Sequence, residues 1–311
     1  MEQPKRPMRV EFAFERLKAH PNAVFVDIQE RPAGYQSSYH RHDFPQIWYC
    51  YRGQYSHRVA EQTYNCNEGS VVIVPAGTPH QVVYDEVAKM ICLSIRHDVL
   101  DLEAPEQYKN SIINLYLRAF SQELGFPFQP HTVLSAQSRL VMEEISSWFV
   151  LINYSPNYTA DVVQIRRQLE ELFSVPEFAI PEAYLKKAMH LTDTRLCPIM
   201  RVVNYLNDHY PEKITDEVLL QAGNISRAVM YRYFKRLMAD TYSQYLQNLR
   251  ARHAHIYMKK TTYPLSRIAE LCGFYDSYHM SQIYTKKIGG TISAQRRMFD
   301  RIREGKEEPC K

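Results

Sequence analysis

A chain of 311 residues is long enough for two or three domains, each with its own core. With 45% hydrophobic and 23% charged residues the composition is that of an ordinary soluble protein, and no run of 18 apolar residues offers a membrane span. Charge divides unevenly: residues 195–311 carry 20 Lys+Arg against 11 Asp+Glu, net +9, while residues 1–194 carry 18 against 23, net −5.

A basic half joined to an acidic half points to a nucleic-acid reader with a separate domain of another purpose. The first residues, Met1-Glu2-Gln3-Pro4-Lys5-Arg6, lack the apolar core of a signal peptide. Six cysteines stand singly, at 50, 66, 92, 197, 272 and 310, with no CxxC pair. Cys50, Cys92 and Cys272 lie in apolar patterns and read as small core residues of a reducing compartment, so a cytoplasmic location is expected.

From residue 10 to about 96 the chain reads as short strands separated by turns. Residues 23–28, 46–51, 70–75 and 89–95 are rich in β-branched and aromatic side chains, and Arg52-Gly53-Gln54 and Asn67-Glu68-Gly69 supply turn chemistry. Closely spaced short strands predict a barrel or sandwich. Two spaced motifs sharpen this: Gly34-x5-His40-x-His42-x3-Gln46-x6-Gly53 and Gly69-x5-Pro75-x-Gly77-x2-His80. Their order and spacing resemble the two cupin motifs, which implies a cupin-like jelly-roll β-barrel over residues 8–105.

His40 and His42, two apart on a strand, point the same way, and His80 follows a turn that lets it converge on them. Three imidazoles suit a metal, a small-molecule pocket or a structural interior. Metal-binding cupins usually carry Glu where this chain has Gln46, a neutral amide and a poorer ligand. No metal and no cofactor are therefore expected, with His40, His42 and His80 the residues that would hold an ion if one were present. The ligand-binding candidates are Arg31, Tyr35, His40, His42, Gln46, Trp48 and His80, with Tyr55 and His57 on neighbouring strands. Aromatic rings with a few polar tips suit a sugar or a small organic acid.

Residues 106–193 turn helical. Apolar residues at three-four spacing mark helices over 108–124, 134–152, 162–173 and 181–191. Helices that follow a small barrel commonly pair with a second subunit, so this region is expected to form a homodimer. Residues 193–198 read as the hinge, and Pro198 starts a helix over 199–209.

The last third, 195–300, carries two helical units about fifty residues apart. In the first, Thr215-Asp216-Glu217 opens a helix that ends near Ala222-Gly223-Asn224, and Ile225-Ser226 starts a second with Val229, Met230, Tyr233, Phe234 and Leu237 on one face. In the second, Pro264 suits a first helical position, Cys272-Gly273-Phe274 makes the turn, and Met280, Ile283 and Tyr284 face inward. Helix, tight turn, helix occurs twice, joined by a helix over 241–260.

The ordered series Ser226…Met230-Tyr231-Arg232-Tyr233-Phe234-Lys235, Tyr245-Leu246…Arg250…Ala254 and Ile268-Ala269-Glu270-Leu271-Cys272-Gly273-Phe274-Tyr275-Asp276 resembles the DNA-binding domain of the AraC/XylS family of transcription regulators. Ser281, Lys286, Gly289 and Arg296 continue the likeness, which spans residues 197–297. Leu220, Ala239 and Ile292 depart from it, where the family usually has Ala, Gly and Pro, and suggest an adapted first unit.

The resemblance implies an α+β multidomain chain that reads double-stranded DNA and is no enzyme. Its barrel would sense a small-molecule effector and so change operator choice or contact with RNA polymerase, as an activator or a repressor, away from membranes. By position, Ala228, Tyr231, Arg232, Ser277, Tyr278, Ser281 and Gln282 are the base-facing candidates, with Arg227 beside them. Lys235, Arg236, Lys286, Lys287, Arg296 and Arg297 would hold phosphates, and Arg250 either phosphate or structure. Two rival readings stay open: a regulator whose barrel binds nothing and acts through a protein partner, and a metal-dependent cupin enzyme.

Overall fold

Among the described residues, ten strands form two five-stranded sheets. The strands are β1 (Arg9–Val10), β2 (Val24–Arg31), β3 (His40–Arg41), β4 (Gln46–Arg52), β5 (Gln54–Val59), β6 (Gln62–Asn67), β7 (Ser70–Val74), β8 (His80–Val83), β9 (Ala88–Ile95) and β10 (His131–Val133). One sheet runs β1-β3-β8-β5-β6 and the other β10-β7-β4-β9-β2. All pairings are antiparallel except β1 with β3. The computed structural model describes residues 9–10, 24–42, 44–95, 116, 121–126, 129–154, 160–238, 240–288 and 290–303.

The two sheets share one core, built of Trp48, Cys50, Val72, Val74, Met90 and Cys92 from one and Tyr55, Val59, Cys66 and Val82 from the other. Among the described residues they do not close on each other, so the expected barrel is realised as a sandwich of two sheets.

The sheets differ because they are covered differently. The middle strands of sheet β10-β7-β4-β9-β2, and β7 above all, are buried on both faces. Trp48 and Cys50 of β4 enter the shared core, while Tyr49, on the opposite face, donates from its hydroxyl to Glu143 of α2 at 2.7 Å. That helix, α2 (Ala136–Tyr154), follows a short α1 (Ser121–Leu124) and lies along β2. Asn153 Nδ2 and the Tyr154 hydroxyl donate to the carbonyls of Val24 and Val26 at 3.2 Å each. Burial on both faces requires continuous apolar runs, hence Ser70–Val74 with every residue buried. Sheet β1-β3-β8-β5-β6 buries one face only, so β5 alternates exposed and buried residues and keeps a polar character.

Among the described residues the further α-helices are α3 (Val162–Phe173), α4 (Glu182–Leu191), α5 (Cys197–His209), α6 (Asp216–Gly223), α7 (Arg227–Met238), α8 (Tyr242–Lys260), α9 (Leu265–Leu271), α10 (Ser277–Ile288) and α11 (Ile292–Arg303). The helices expected over 134–152, 162–173, 181–191, 199–209 and 241–260 are all present within two residues at most boundaries. The helix expected over 108–124 falls largely outside the described residues, as do Ala239 and Gly289. The chain groups into two compact units, one of residues up to 200 with 232–239, the other of 201–231 with 240 onward.

The second unit has its own core of Ala254, Met258, Ile268, Ala269, Cys272, Phe274, Met280, Tyr284, Ile292 and Phe299. Ile292, where a Pro is usual, is 3% exposed and adds apolar area to this core. α8 starts with a capping box: Thr241 accepts from Gln244 N–H and the Gln244 side chain accepts from the cap N–H. No described helix is long and apolar enough to cross a membrane. Cys50, Cys66, Cys92, Cys197 and Cys272, among the described residues, are buried and in no disulfide, and burial pushes the thiols of Cys50 and Cys272 up to about 12. Such thiols stay protonated and unreactive.

Candidate ligand site and nucleic-acid interface

The interior of the sandwich is polar at one end. β3 and β8 pair with His40 directly opposite His80, and His42 lies two residues beyond His40 on the same side. The His40 ring is 4.4 Å from that of His80 and 4.6 Å from that of His42, with His42 and His80 5.1 Å apart. The turn after β7 closes on them: Gly77, at φ +74°, donates its N–H to the His42 carbonyl at 2.6 Å. All three histidines are buried. His80 is held down to about 3 by burial, with His40 adding to the effect, so it is neutral at physiological pH.

His57, one strand further on, is wholly buried, with its ring 5.5 Å from that of His80. Neither of its ring nitrogens has a hydrogen-bond partner, and neither does His80 Nε2 or the Tyr55 hydroxyl. Burial holds His57 well below the usual histidine range. Orphaned buried polar atoms are rare in folded proteins and mark a place where a partner belongs.

The remaining ligand candidates separate. Gln46 is spent inside the sheet, accepting from Trp48 Nε1 at 3.0 Å and donating to Ser94 Oγ at 3.1 Å. Trp48 touches both His57 and His80 edge-on. Arg31 and Tyr35 stand elsewhere, exposed, with the guanidinium 5.1 Å from the Tyr35 ring. A file of rings joins them to the histidines, from Tyr35 to Tyr84 (5.7 Å), Tyr55 (6.1 Å), His57 (5.9 Å) and His80. Sequence reasoning left out Tyr84 and Ser94. The alternation His80, Val82, Tyr84 along one face was the available signal for the first.

Each helix-turn-helix turn is fixed by a left-handed residue. After α6, Asn224 (φ 49°, ψ 51°) donates to the Gln221 carbonyl, and Ile225 donates to that of Leu220. After α9, Gly273 (φ +74°) donates to the Glu270 carbonyl and Phe274 to that of Ala269. Both are Schellman-type ends. Gly273 has a second constraint, since a Cβ there would stand 2.4 Å from the Pro211 carbonyl oxygen. Arg250 proves structural: Nε donates to the Tyr210 carbonyl and Nη2 to that of Glu212, both at 2.7 Å, tying down the loop that Gly273 approaches.

On α7, Arg227, Ala228, Tyr231, Arg232 and Lys235 are all exposed and form one stripe, opposite the buried Met230 and Phe234. Two members of the stripe are held. Arg227 pairs with Asp216 at 2.8 Å and Glu217 at 3.2 Å, and the Tyr231 hydroxyl donates to Asp216 at 3.0 Å. Tyr242 also donates to Asp216, and these contacts keep that carboxyl below the usual range, the Tyr242 bond contributing most. Arg236 forms a two-pronged pair with Glu123.

On α10, Tyr278, Gln282 and Lys286 are exposed, Ser277 and Ser281 half-buried, and Ser281 Oγ donates to the Ser277 carbonyl at 2.9 Å. Asp276 caps the helix by accepting the His279 N–H at 2.7 Å. Arg296 pairs with Asp300 at 3.3 Å, with a side chain 16% exposed, whereas Arg297 is exposed.

Comparison with known proteins agrees with both halves. An AraC-like ligand binding domain matches residues 22–149, and a helix-turn-helix domain matches residues 219–298. The HTH-type transcriptional activator RhaR of Escherichia coli O139:H28 is 26% identical over 273 residues, covering 83% of this chain and 86% of its own length. Its namesake from Salmonella dublin is 22% identical over 265 residues with the same coverage. The crystal structure of ToxT from Vibrio cholerae O395 aligns with 89% of this chain and 98% of its own at a TM-score of 0.46 and 10% identity. With a ligand-binding domain of this type ahead of a double helix-turn-helix reader, the chain belongs to the AraC/XylS family of DNA-binding transcription regulators.

Proposed function

We propose that the sandwich binds a small hydroxylated effector, a sugar in the first place and a small organic acid in the second, and that binding changes how the two reading helices engage an operator. The observation that carries this is the set of orphaned atoms deep in the sandwich: both ring nitrogens of His57, Nε2 of His80 and the Tyr55 hydroxyl. With His57 and His80 neutral, these groups offer hydrogen bonds without charge, which suits hydroxyl groups better than a carboxylate.

The reading further takes the chain as a cytoplasmic homodimer that activates transcription through RNA polymerase and catalyses nothing. Activation accords with the RhaR relatives, which are transcriptional activators. Dimerisation accords with Leu140, Leu151 and Tyr154, which α2 leaves exposed along one side. Domain limits of 8–105 for the sensor, 106–193 for the pairing helices and 195–300 for the reader fit this division of labour. Each reading helix would enter a major groove, the two separated by about one turn, roughly 34 Å.

A two-stage experiment tests the proposal. Fluorescence anisotropy on the DNA upstream of the chain's own and adjacent genes should give a complex that survives competitor DNA. A thermal-shift panel of sugars and small acids should then yield a compound that raises the melting temperature and alters the anisotropy titration. A panel without any such compound, beside intact specific DNA binding, would favour a sandwich that works through a protein partner. Sedimentation that finds a 36.6 kDa species at all concentrations would remove the dimer.

A further inference from the structure

Three helices of the first helix-turn-helix unit meet at one carboxylate. Asp216 lies in the first turn of α6, Tyr231 on the outer stripe of α7 and Tyr242 at the start of α8. Asp216 Oδ2 accepts from the Arg227 guanidinium at 2.8 Å and from the Tyr231 hydroxyl at 3.0 Å, and Oδ1 accepts from the Tyr242 hydroxyl. The Tyr231 and Tyr242 rings meet edge to face at 5.6 Å, which restrains the direction in which Tyr231 leaves its helix.

These contacts decide where one hydrogen points. The Tyr242 bond first, then the Tyr231 bond and the Arg227 charge, hold the Asp216 carboxyl below its usual range, so it is ionised at neutral pH. A carboxylate has no hydrogen to give. The hydrogen between the two groups therefore belongs to Tyr231 and points at Asp216, and the hydroxyl oxygen has only lone pairs left for an outside partner. Phosphate oxygens, guanine O6 and thymine O4 are acceptors themselves and give such an oxygen nothing to bond. The major groove offers it a donor at two places, the amino groups on adenine N6 and cytosine N4.

The second unit lacks this arrangement. Fifty residues on, Ser266 stands in the place of Asp216 and Ser281 in that of Tyr231. Ser281 gives its hydrogen to the neutral carbonyl of Ser277 in its own helix, not to a carboxylate.

We propose that Tyr231 reads an exocyclic amino group in the major groove, adenine N6 or cytosine N4, and that Asp216 is the positioning residue that makes it an acceptor only. The inference rests on α7 as a reading helix with Tyr231 toward the bases. It adds which partner of the hydrogen bond the base must be.

The test is anisotropy of the full-length chain on the operator upstream of its own gene. Each adenine is replaced in turn by purine and each cytosine by pyrimidin-2-one, which lack only the amino group. At one position the parent should lose about fivefold in affinity. Tyr231→Phe should lose the same on the natural operator and nothing further on that analogue. Whether the responding position is adenine or cytosine identifies the base. Asp216→Ala frees the hydrogen, so at that position the preference for adenine over guanine, or cytosine over thymine, should fall towards one while preferences at other positions persist. A merely structural Asp216 would weaken all operators alike. A parent that binds the operator no better than competitor DNA brings down the reader itself, and the proposal with it. Specific binding in which the analogue and Tyr231→Phe losses simply multiply, or in which Tyr231→Phe weakens every sequence equally, overturns the proposal alone. Should Asp216→Ala fail to fold, the cycle between parent and Tyr231→Phe decides.

Discussion

The two helix-turn-helix units repeat the same plan and differ in what holds it. In the first, the turn residue Asn224 is exposed and the reading helix is restrained by side chains, with Asp216 gripping Arg227, Tyr231 and Tyr242. In the second, the restraint is in the backbone: Gly273 sits against the Pro211 carbonyl, itself part of a loop bound by Arg250. The exposed Tyr278 and Gln282 on α10 carry no comparable carboxylate clamp among the described contacts. A reader restrained by side chains can change its grip by exchanging hydrogen bonds. One restrained by backbone contact keeps a fixed shape. The first unit is therefore the adaptable half of the pair and the second the rigid half.

Exchanging the two turn residues gives the largest expected effect. Gly273→Asn forces a side chain into a left-handed residue whose Cβ has 2.4 Å to a carbonyl oxygen, and should destabilise the second unit by about 3 kcal/mol. Asn224→Gly keeps the left-handed turn and should stay within about 0.5 kcal/mol of the parent. Urea unfolding followed by far-UV circular dichroism compares them, and equal losses would abolish the distinction drawn between the units.

Next come the candidate readers at matching positions, Arg232 and Gln282, both exposed. Replacing either by Ala should cost about 1–3 kcal/mol at one base position, guanine for Arg232 and adenine for Gln282, and relax specificity there. Binding to operators substituted base by base is the measurement. Uniform weakening on every sequence would show contact with phosphate only.

Asp216→Asn tests the side-chain clamp. It should cost about 1 kcal/mol of stability through weakened charge-assisted hydrogen bonds, while raising non-specific DNA affinity as Arg227 is released. The sign with pH follows from the lowered carboxyl. Its stabilising effect is complete above the ordinary Asp value of 3.8 and is lost as pH falls through the lower folded value. The difference in melting temperature between Asp216→Asn and parent should stay constant from pH 7 to 5. A difference that shrinks within that range would mean that Asp216 is not the ionised anchor.

How much of this was legible varied with burial. The four strands foreseen from apolar runs, β2, β4, β7 and β9, all fall in one sheet, whose middle strands β7, β4 and β9 are mostly buried and therefore mostly apolar. The strands of the other sheet, such as Gln62–Asn67 and His80–Val83, are polar at alternate positions and short, so no run announces them. Yet that sheet carries His40, His57 and His80, so the chemistry lies where the strand signal is weakest. Motif spacing found His40, His42 and His80 together. Arg31 and Tyr35 were candidates because they precede the first motif, and the structure adds what proximity in sequence leaves out, a file of rings between them and the histidines. The double reader was legible almost entirely, since its fifty-residue repeat fixes which faces are inner. What the repeat did not show was which outer-face cations already have partners.

That last point yields the smallest effect and the finest comparison. Arg236 and Lys286 occupy matching places, each six residues after the buried Met230 and Met280, so a repeat alone gives both the same phosphate-holding role. The structure separates them: Arg236 is engaged on both prongs by Glu123, whereas Lys286 is exposed in the last turn of α10. A cation already paired to a carboxylate releases no counterion on meeting a phosphate unless the first pair breaks. Lys286→Ala should therefore lower the slope of log affinity against log salt by about one, with less than about 1 kcal/mol lost at physiological salt. Arg236→Ala should leave the slope as it was. If the two substitutions flatten it equally, the Glu123 pair is exchanged for phosphate on binding, and the first unit is more adaptable than its clamp at Asp216 alone would make it.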